Sequence, residues 1–194
     1  MPKNTILITG ANGLVAQRFA DMFSDEYALK FLTRKRNGHK EKHGHDHNYA
    51  WDPGSGHIDE EALEGTDYIL HLAGANISEK RWTAKRKQEI LSSRRDSARL
   101  LLSKLIEGNH SLKAFISASA VGFYGDAPSE KVFSEEDEGG EDFLAAVCRE
   151  WEESSHNFSE VSLRVLIFRF GVVLSRSGFI LTKLQMPIKF GMGT

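Results

Sequence analysis

The sequence predicts an α/β fold: a doubly wound parallel sheet with strand order 3-2-1-4-5-6. Three observations predict it. Short β-rich apolar runs alternate with longer amphipathic stretches along the whole chain. The first run, Thr5 to Thr9, leads directly into a glycine-rich turn and then a helical pattern. The chain has 194 residues, 40% hydrophobic and 27% charged, which suits one buried core and argues against disorder.

Element by element, Thr5 to Thr9 reads as a strand stopped by Gly10. Gly13 to Ser24 places Leu14, Val15, Phe19, Met22 and Phe23 at helical spacing. Leu29 to Thr33 is the second strand, and Arg34 to Asn48 is a polar loop rich in Lys, Gly and His. A short third strand, Asn48 to Trp51, ends at Asp52-Pro53-Gly54, and Glu60 to Leu63 is a helical piece. Tyr68 to Leu72 is the fourth strand, closed by Ala73-Gly74. Thr83 to Glu107 is the longest helical pattern, with Ile90, Leu91, Ser97, Leu101 and Leu105 on its buried stripe and Gly108-Asn109 as its stop. Lys113 to Ser117 is the fifth strand and Gly125 to Gly140 an acidic loop. Asp142 caps a helix through Phe143, Val147, Cys148 and Trp151, and Leu163 to Arg169 is the sixth strand. Alternation of this kind implies right-handed β-α-β crossovers.

A net charge of −2 gives no global pull toward nucleic acid or membranes. The single cysteine, Cys148, forms no internal disulfide and fits a reducing cytosol. No apolar stretch approaches the roughly 20 residues that span a bilayer. A strand beginning at Thr5 leaves no room for a leader peptide, so the expected location is cytoplasmic. Charge is unevenly spread. Residues 80–104 hold nine Lys or Arg against Glu89 and Asp96, a net +7, while residues 126–160 hold twelve acids against two bases, a net −10. These are solvated faces on the plain reading, and a self-complementary homodimer contact or docking patch on the sharper one. Only Trp82 offers an aromatic platform beside the basic stretch, so nucleic-acid binding is not expected.

The chemistry concentrates in Gly10-Ala11-Asn12-Gly13-Leu14-Val15-Ala16, placed between a strand and a helix. One glycine allows the tight turn and the next lets backbone approach a pyrophosphate. The last position must be small for helix–strand packing, as Ala16 is. Unpaired amides at the helix start, with Gly10, Asn12, Gly13, Leu14 and Val15 around them, favour phosphate. The predicted fold is therefore the Rossmann dinucleotide-binding type. Cofactor choice falls to the end of the second strand, Thr33-Arg34-Lys35-Arg36. An NAD site places a carboxylate there for the ribose; here Arg34 can fork onto a 2′-phosphate, so NADP is expected over NAD.

The Gly10 to Ala16 turn, His71-Leu72-Ala73-Gly74, and Ser117-Ala118-Ser119-Ala120-Val121-Gly122-Phe123-Tyr124-Gly125 resemble the short-chain dehydrogenase/reductase superfamily on its extended, sugar-nucleotide-epimerase-like side. Trp51-Asp52-Pro53, Ala75-Asn76-Ile77, Arg81-Trp82-Thr83, Trp151-Glu152 and Arg169 to Leu174 make the chain similar to poorly characterised NAD(P)-dependent epimerase-like proteins. The resemblance implies Thr33, Leu72, Ala73, Gly74 and Ser117 as further cofactor-binding residues, and Ser119 as the hydroxyl that polarises substrate. Its acid/base Tyr followed four residues later by Lys falls at Phe143 and Val147, neither of which carries a proton. Tyr124 is the candidate substitute phenol, with a packing or stacking ring as the plainer reading. The resemblance also implies that residues 1–177 form the NADP-binding domain and that 178–194 begin a truncated substrate-covering region.

Two functions follow. One is an NADP-dependent oxidoreductase or epimerase-like enzyme acting on a small molecule, with a nucleotide sugar as the candidate class. The other is a non-catalytic NADP-binding sensor or assembly protein, favoured by the missing pair. His39, His43, His45 and His47 lack cysteine or carboxylate companions and read as a solvated loop, with no metal site expected.

Overall fold

The computed structural model describes residues 3–34, 47–126, 130–175 and 181. His39, His43 and His45 and nearly all of the stretch 178–194 lie outside these residues, and with them the expected second region. Seven strands form one sheet: β1 (Thr5–Thr9), β2 (Ala28–Thr33), β3 (Asn48–Asp52), β4 (His57–Ile58), β5 (Tyr68–His71), β6 (Ala114–Ala120) and β7 (Val165–Phe170), in the order β4-β3-β2-β1-β5-β6-β7. The six expected strands thus stand in the expected order and run parallel. The addition is β4, which pairs antiparallel with β3. Two residues are too few to carry a period. The Asp52 carboxylate accepts from the Gly54 amide at 3.0 Å, and Gly56 has φ +72°, so the chain reverses and meets its own strand.

Among the described residues, three α-helices flank the sheet: α1 (Leu14–Phe23), α2 (Ala84–Glu107) and α3 (Phe143–His156). Thr83 caps α2 by accepting from the Arg86 amide, and Asp142 caps α3 by accepting from the Ala145 amide at 2.9 Å. Leu7, Leu32, Ile69 and Phe115 pack on one sheet face with Leu101 and Leu105 of α2 and with Phe158, whose ring stacks on Phe115 at 3.5 Å. Ile6, Ile8, Phe31 and Leu70 pack on the other with Ala16 and Ala20 of α1. Central strands buried on both faces explain the unbroken apolar runs. At the far edge, Leu166 and Phe168 pair in register with Ile116 and Ala118, and remain 41% and 51% exposed.

Two boundaries shift by more than one residue. The strand expected to end at Ser117 continues to Ala120, which puts Ser119 on the strand itself. The strand expected from Leu163 begins at Val165, leaving Leu163 exposed.

Candidate active site

The carboxyl ends of β1, β2, β3 and β5 open into a cavity of about 670 Å³. Its walls are the Gly10–Gly13 turn, Leu32–Arg34, Trp51–Gly54, Leu72–Asn76, Glu79–Lys80 and, on α2, Arg86, Glu89, Ser92, Ser93, Asp96 and Ser97. Gly10 has φ +71°, and a side chain there would begin 2.8 Å from the Leu72 carbonyl oxygen. Only glycine lets the turn lie this close to the end of β5. Gly13 donates to the Gly10 carbonyl at 2.8 Å and serves as the N-cap of α1, without a capping side chain. The first amides of α1 therefore stay open beside the cavity.

Beneath the turn runs a buried polar chain. Thr9 Oγ1 accepts from the Leu72 and Ala73 amides at 3.0 and 3.1 Å, which fills both lone pairs. Its proton is then directed to His71 Nδ1, 3.0 Å away. That leaves Nε2 protonated, donating to Ser97 Oγ at 3.2 Å, and Ser97 donates to the Arg94 carbonyl at 2.9 Å. Every member is satisfied only with a neutral imidazole. Burial and the positive charge of Arg94 lower the His71 pKa from 6.5 to about 4. The chain ties β1, β5 and α2 together directly under the cavity.

Of the residues expected to hold a dinucleotide, Gly10, Asn12, Gly13, Thr33, Arg34, Leu72, Ala73 and Gly74 line this one cavity. Leu14 and Val15 follow at the start of α1. Ser117 sits apart, buried between β6 and α3, accepting from Ser155 Oγ at 2.9 Å and donating to the Ala118 carbonyl.

Ser119 and Tyr124 share a second network. Ser119 Oγ donates to Glu152 Oε1 at 2.6 Å. Arg169 grips the same carboxylate with Nε at 2.9 Å and its second terminal nitrogen at 2.8 Å. The remaining guanidinium nitrogen donates to Tyr124 Oη at 2.9 Å, and Tyr124 donates to the Ser134 carbonyl at 2.8 Å. Burial opposes the charge on Glu152, but the Arg169 and Ser119 bonds outweigh it and hold the carboxyl below its usual range. The Glu152 bond in turn raises Arg169. Burial pushes the Cys148 thiol up, so it stands protonated near the Ala120 carbonyl. Phe143 meets Trp82 edge-on at 5.4 Å, and Val147 is buried.

Glu152 and Arg169 carried no role in the sequence reading, yet each left a signal. Glu152 interrupts the helical stripe of Val147, Cys148 and Trp151, and Arg169 interrupts the apolar run Val165–Phe170. His71 and Thr9 stood in plain apolar strands; their pairing spans 62 residues of sequence and has no local signature.

Among the described residues, no helix is long and apolar enough to cross a membrane, and no group of three or more His, Cys, Asp or Glu is placed to hold a metal.

Comparison with known proteins agrees with this architecture. Residues 6–149 match the model of the NAD dependent epimerase/dehydratase family. An epimerase family protein of Mycobacterium leprae is 30% identical over 193 residues, covering 98% of this chain and 60% of its own length. A Staphylococcus aureus epimerase family protein is 31% identical, covering 96% and 61%. The chain thus spans about 60% of these relatives. A nucleoside-diphosphate sugar epimerase from Corynebacterium glutamicum superposes with TM-score 0.75 at 31% identity, covering 96% of this chain and 38% of that one. The human epimerase family protein SDR39U1, solved with NADPH, superposes with TM-score 0.79 at 23% identity, covering 97% and 61%. With three-quarters of its length matched by the family model, the chain belongs to the NAD dependent epimerase/dehydratase family.

Proposed function

We propose that the cavity binds NADP(H), and that the chain is the cofactor-binding part of an oxidoreductase or epimerase acting on a nucleotide sugar. The observation that carries this reading is the Gly10–Gly13 turn seated against Leu72–Ala73, with Arg34 on the same cavity wall. The open amides of Leu14 and Val15, with Asn12, would take the pyrophosphate, and Thr33 and Arg34 the 2′-phosphate. Leu72, Ala73 and Gly74 would meet the nicotinamide ribose through their backbone. Ser117 would act from behind, by setting the spacing of β6 against α3. The human neighbour solved with NADPH supports the cofactor. A neighbour, MoeE5, solved with UDP-glucose and NAD supports the substrate class.

When bound, the cofactor supplies hydride exchange at its nicotinamide. The protein's part is positioning. Ser119 has its proton committed to Glu152, so it offers lone pairs and is set to accept from a substrate hydroxyl rather than donate to a carbonyl. The Tyr124 proton is committed to the Ser134 carbonyl. A carbonyl substrate would have to displace one of these bonds to receive a proton. That commitment, together with apolar Phe143 and Val147, favours a second reading: a non-catalytic NADP-binding sensor or assembly protein.

Two measurements test these readings. Calorimetry of Arg34→Ala should show NADPH binding weakened by about 1.5–3 kcal/mol, roughly 10- to 150-fold, with NADH binding unchanged. Equal NADPH affinity in both proteins overturns the cofactor assignment. NADPH oxidation in the presence of a carbonyl library supports the enzyme, and tight binding without oxidation supports the sensor.

A further inference from the structure

Arg94 is a guanidinium without a counter-ion among the described residues. It lies on α2, where Arg86 provides the contrast. Arg86 is 5% exposed and meets Glu89 at 2.8 Å and Glu79 at 3.6 Å. Arg94 meets no carboxylate among the described residues. One terminal nitrogen donates to the Ile90 and Ala75 carbonyls at 2.9 and 3.3 Å. Its Nε is sealed from solvent with no acceptor, and so is the indole nitrogen of Trp151, over whose ring the guanidinium lies at 4.7 Å. Burial, with Arg86 adding its repulsion, lowers the Arg94 pKa to about 10.

Arg94 is partly exposed, but shielding most of a cation from water without an anion is still unfavourable, and aromatic stacking returns only part of the loss. The guanidinium backs directly onto the cavity wall without itself lining it. A side chain on Gly74 would begin 3.0 Å from Arg94 Cζ and 3.2 Å from its second terminal nitrogen, and Gly74 and Ala75 both line the cavity. A glycine at 74 is what lets the charge come up against this wall.

We propose that Arg94 is an anion-recognition residue, and that the Gly74–Ala75 end of the cavity takes a substrate through a carboxylate or phosphate group. The inference rests on the cofactor reading above, in which the Gly10–Gly13 turn and Arg34 use the dinucleotide's own phosphates. The anion over Arg94 therefore belongs to a second molecule.

The test is thermal unfolding of the wild type, Arg94→Met and Arg94→Lys, with and without saturating NADPH, in inorganic phosphate or malonate against sodium chloride of equal ionic strength. The wild type should gain about 2–4 °C in phosphate or malonate over chloride, with and without NADPH alike. Arg94→Lys should keep part of that gain and Arg94→Met should lose it. In chloride, Arg94→Met should unfold at or above the wild-type temperature, because it removes an uncompensated charge. A residue that merely props the Gly74–Ala75 turn gives the opposite sign. A destabilised Arg94→Met together with a wild type indifferent to phosphate and malonate overturns the proposal. So does a gain that vanishes once NADPH is bound, since the anion would then be the dinucleotide's. Should Arg94→Met not fold, the wild-type and Arg94→Lys series decides alone. Failure of NADPH to bind the wild type is read separately, by calorimetry, and counts against the cofactor reading.

Discussion

Acidification should expose the Thr9–His71–Ser97 chain. The His71 ring is fully buried, and its Nδ1 faces a Thr9 hydroxyl whose lone pairs are both taken by the Leu72 and Ala73 amides. A proton on Nδ1 would point donor at donor. The unfolded chain takes that proton near pH 6.5, and the folded chain resists until about pH 4. Between those values the unfolded state binds more protons, so stability falls as pH falls through this window and loses nothing further from this group below it. At about 1.4 kcal/mol per tenfold change in proton affinity, the loss is on the order of 3 kcal/mol. Urea unfolding of wild type and His71→Gln from pH 7.5 to 4.5, followed by tryptophan fluorescence, isolates it. Carboxylates titrate in both proteins and largely cancel. His71→Gln should be the less stable protein at pH 7.5, and the gap should narrow by most of that amount at pH 4.5. Parallel curves, or an NMR titration of the His71 ring near pH 6.5, would refute the assigned proton positions.

Gly13→Val should fold and lose its calorimetric NADPH signal, because a side chain there begins a tight but tolerable 3.1 Å from the Gly10 carbonyl and projects where the pyrophosphate would lie. Glu152→Ala leaves the Arg169 guanidinium and the Ser119 hydroxyl without their shared acceptor, and should cost about 3 kcal/mol in urea unfolding. Phe168→Lys changes a half-exposed edge residue, so stability should move by less than about 0.5 kcal/mol while self-association in sedimentation falls.

The order of the sheet was legible because each turn chemistry and each apolar run agreed with its neighbours, from Gly10 after β1 to Asp142 before α3. The gathering of Gly10, Gly13, Arg34 and Ala73 around one cavity was legible for the same reason: they follow strand ends, where topology alone brings them together. What escaped were pairings between distant residues. Glu152 and Arg169 look like ordinary charges until the α3–β7 contact joins them, and Arg94 looks like one cation in a basic stretch until its Nε proves to be buried without an acceptor among the described residues. Ser119 was singled out, but its partner decides whether it gives or receives a proton, and that partner lies 33 residues away.

The two rims of the sheet differ in kind. On one side β4 closes β3 with an antiparallel pair only two residues long, a stub too short to template another strand. On the other, β7 runs for six residues beside β6, with Leu166 and Phe168 standing open on the α1 face. Among the described residues, growth of this sheet is therefore one-directional: any polypeptide that enlarges it, whether from the same chain or another, has a long template only at β7. In joining there it would arrive beside Arg169, and so beside the carboxylate that holds the Ser119 proton.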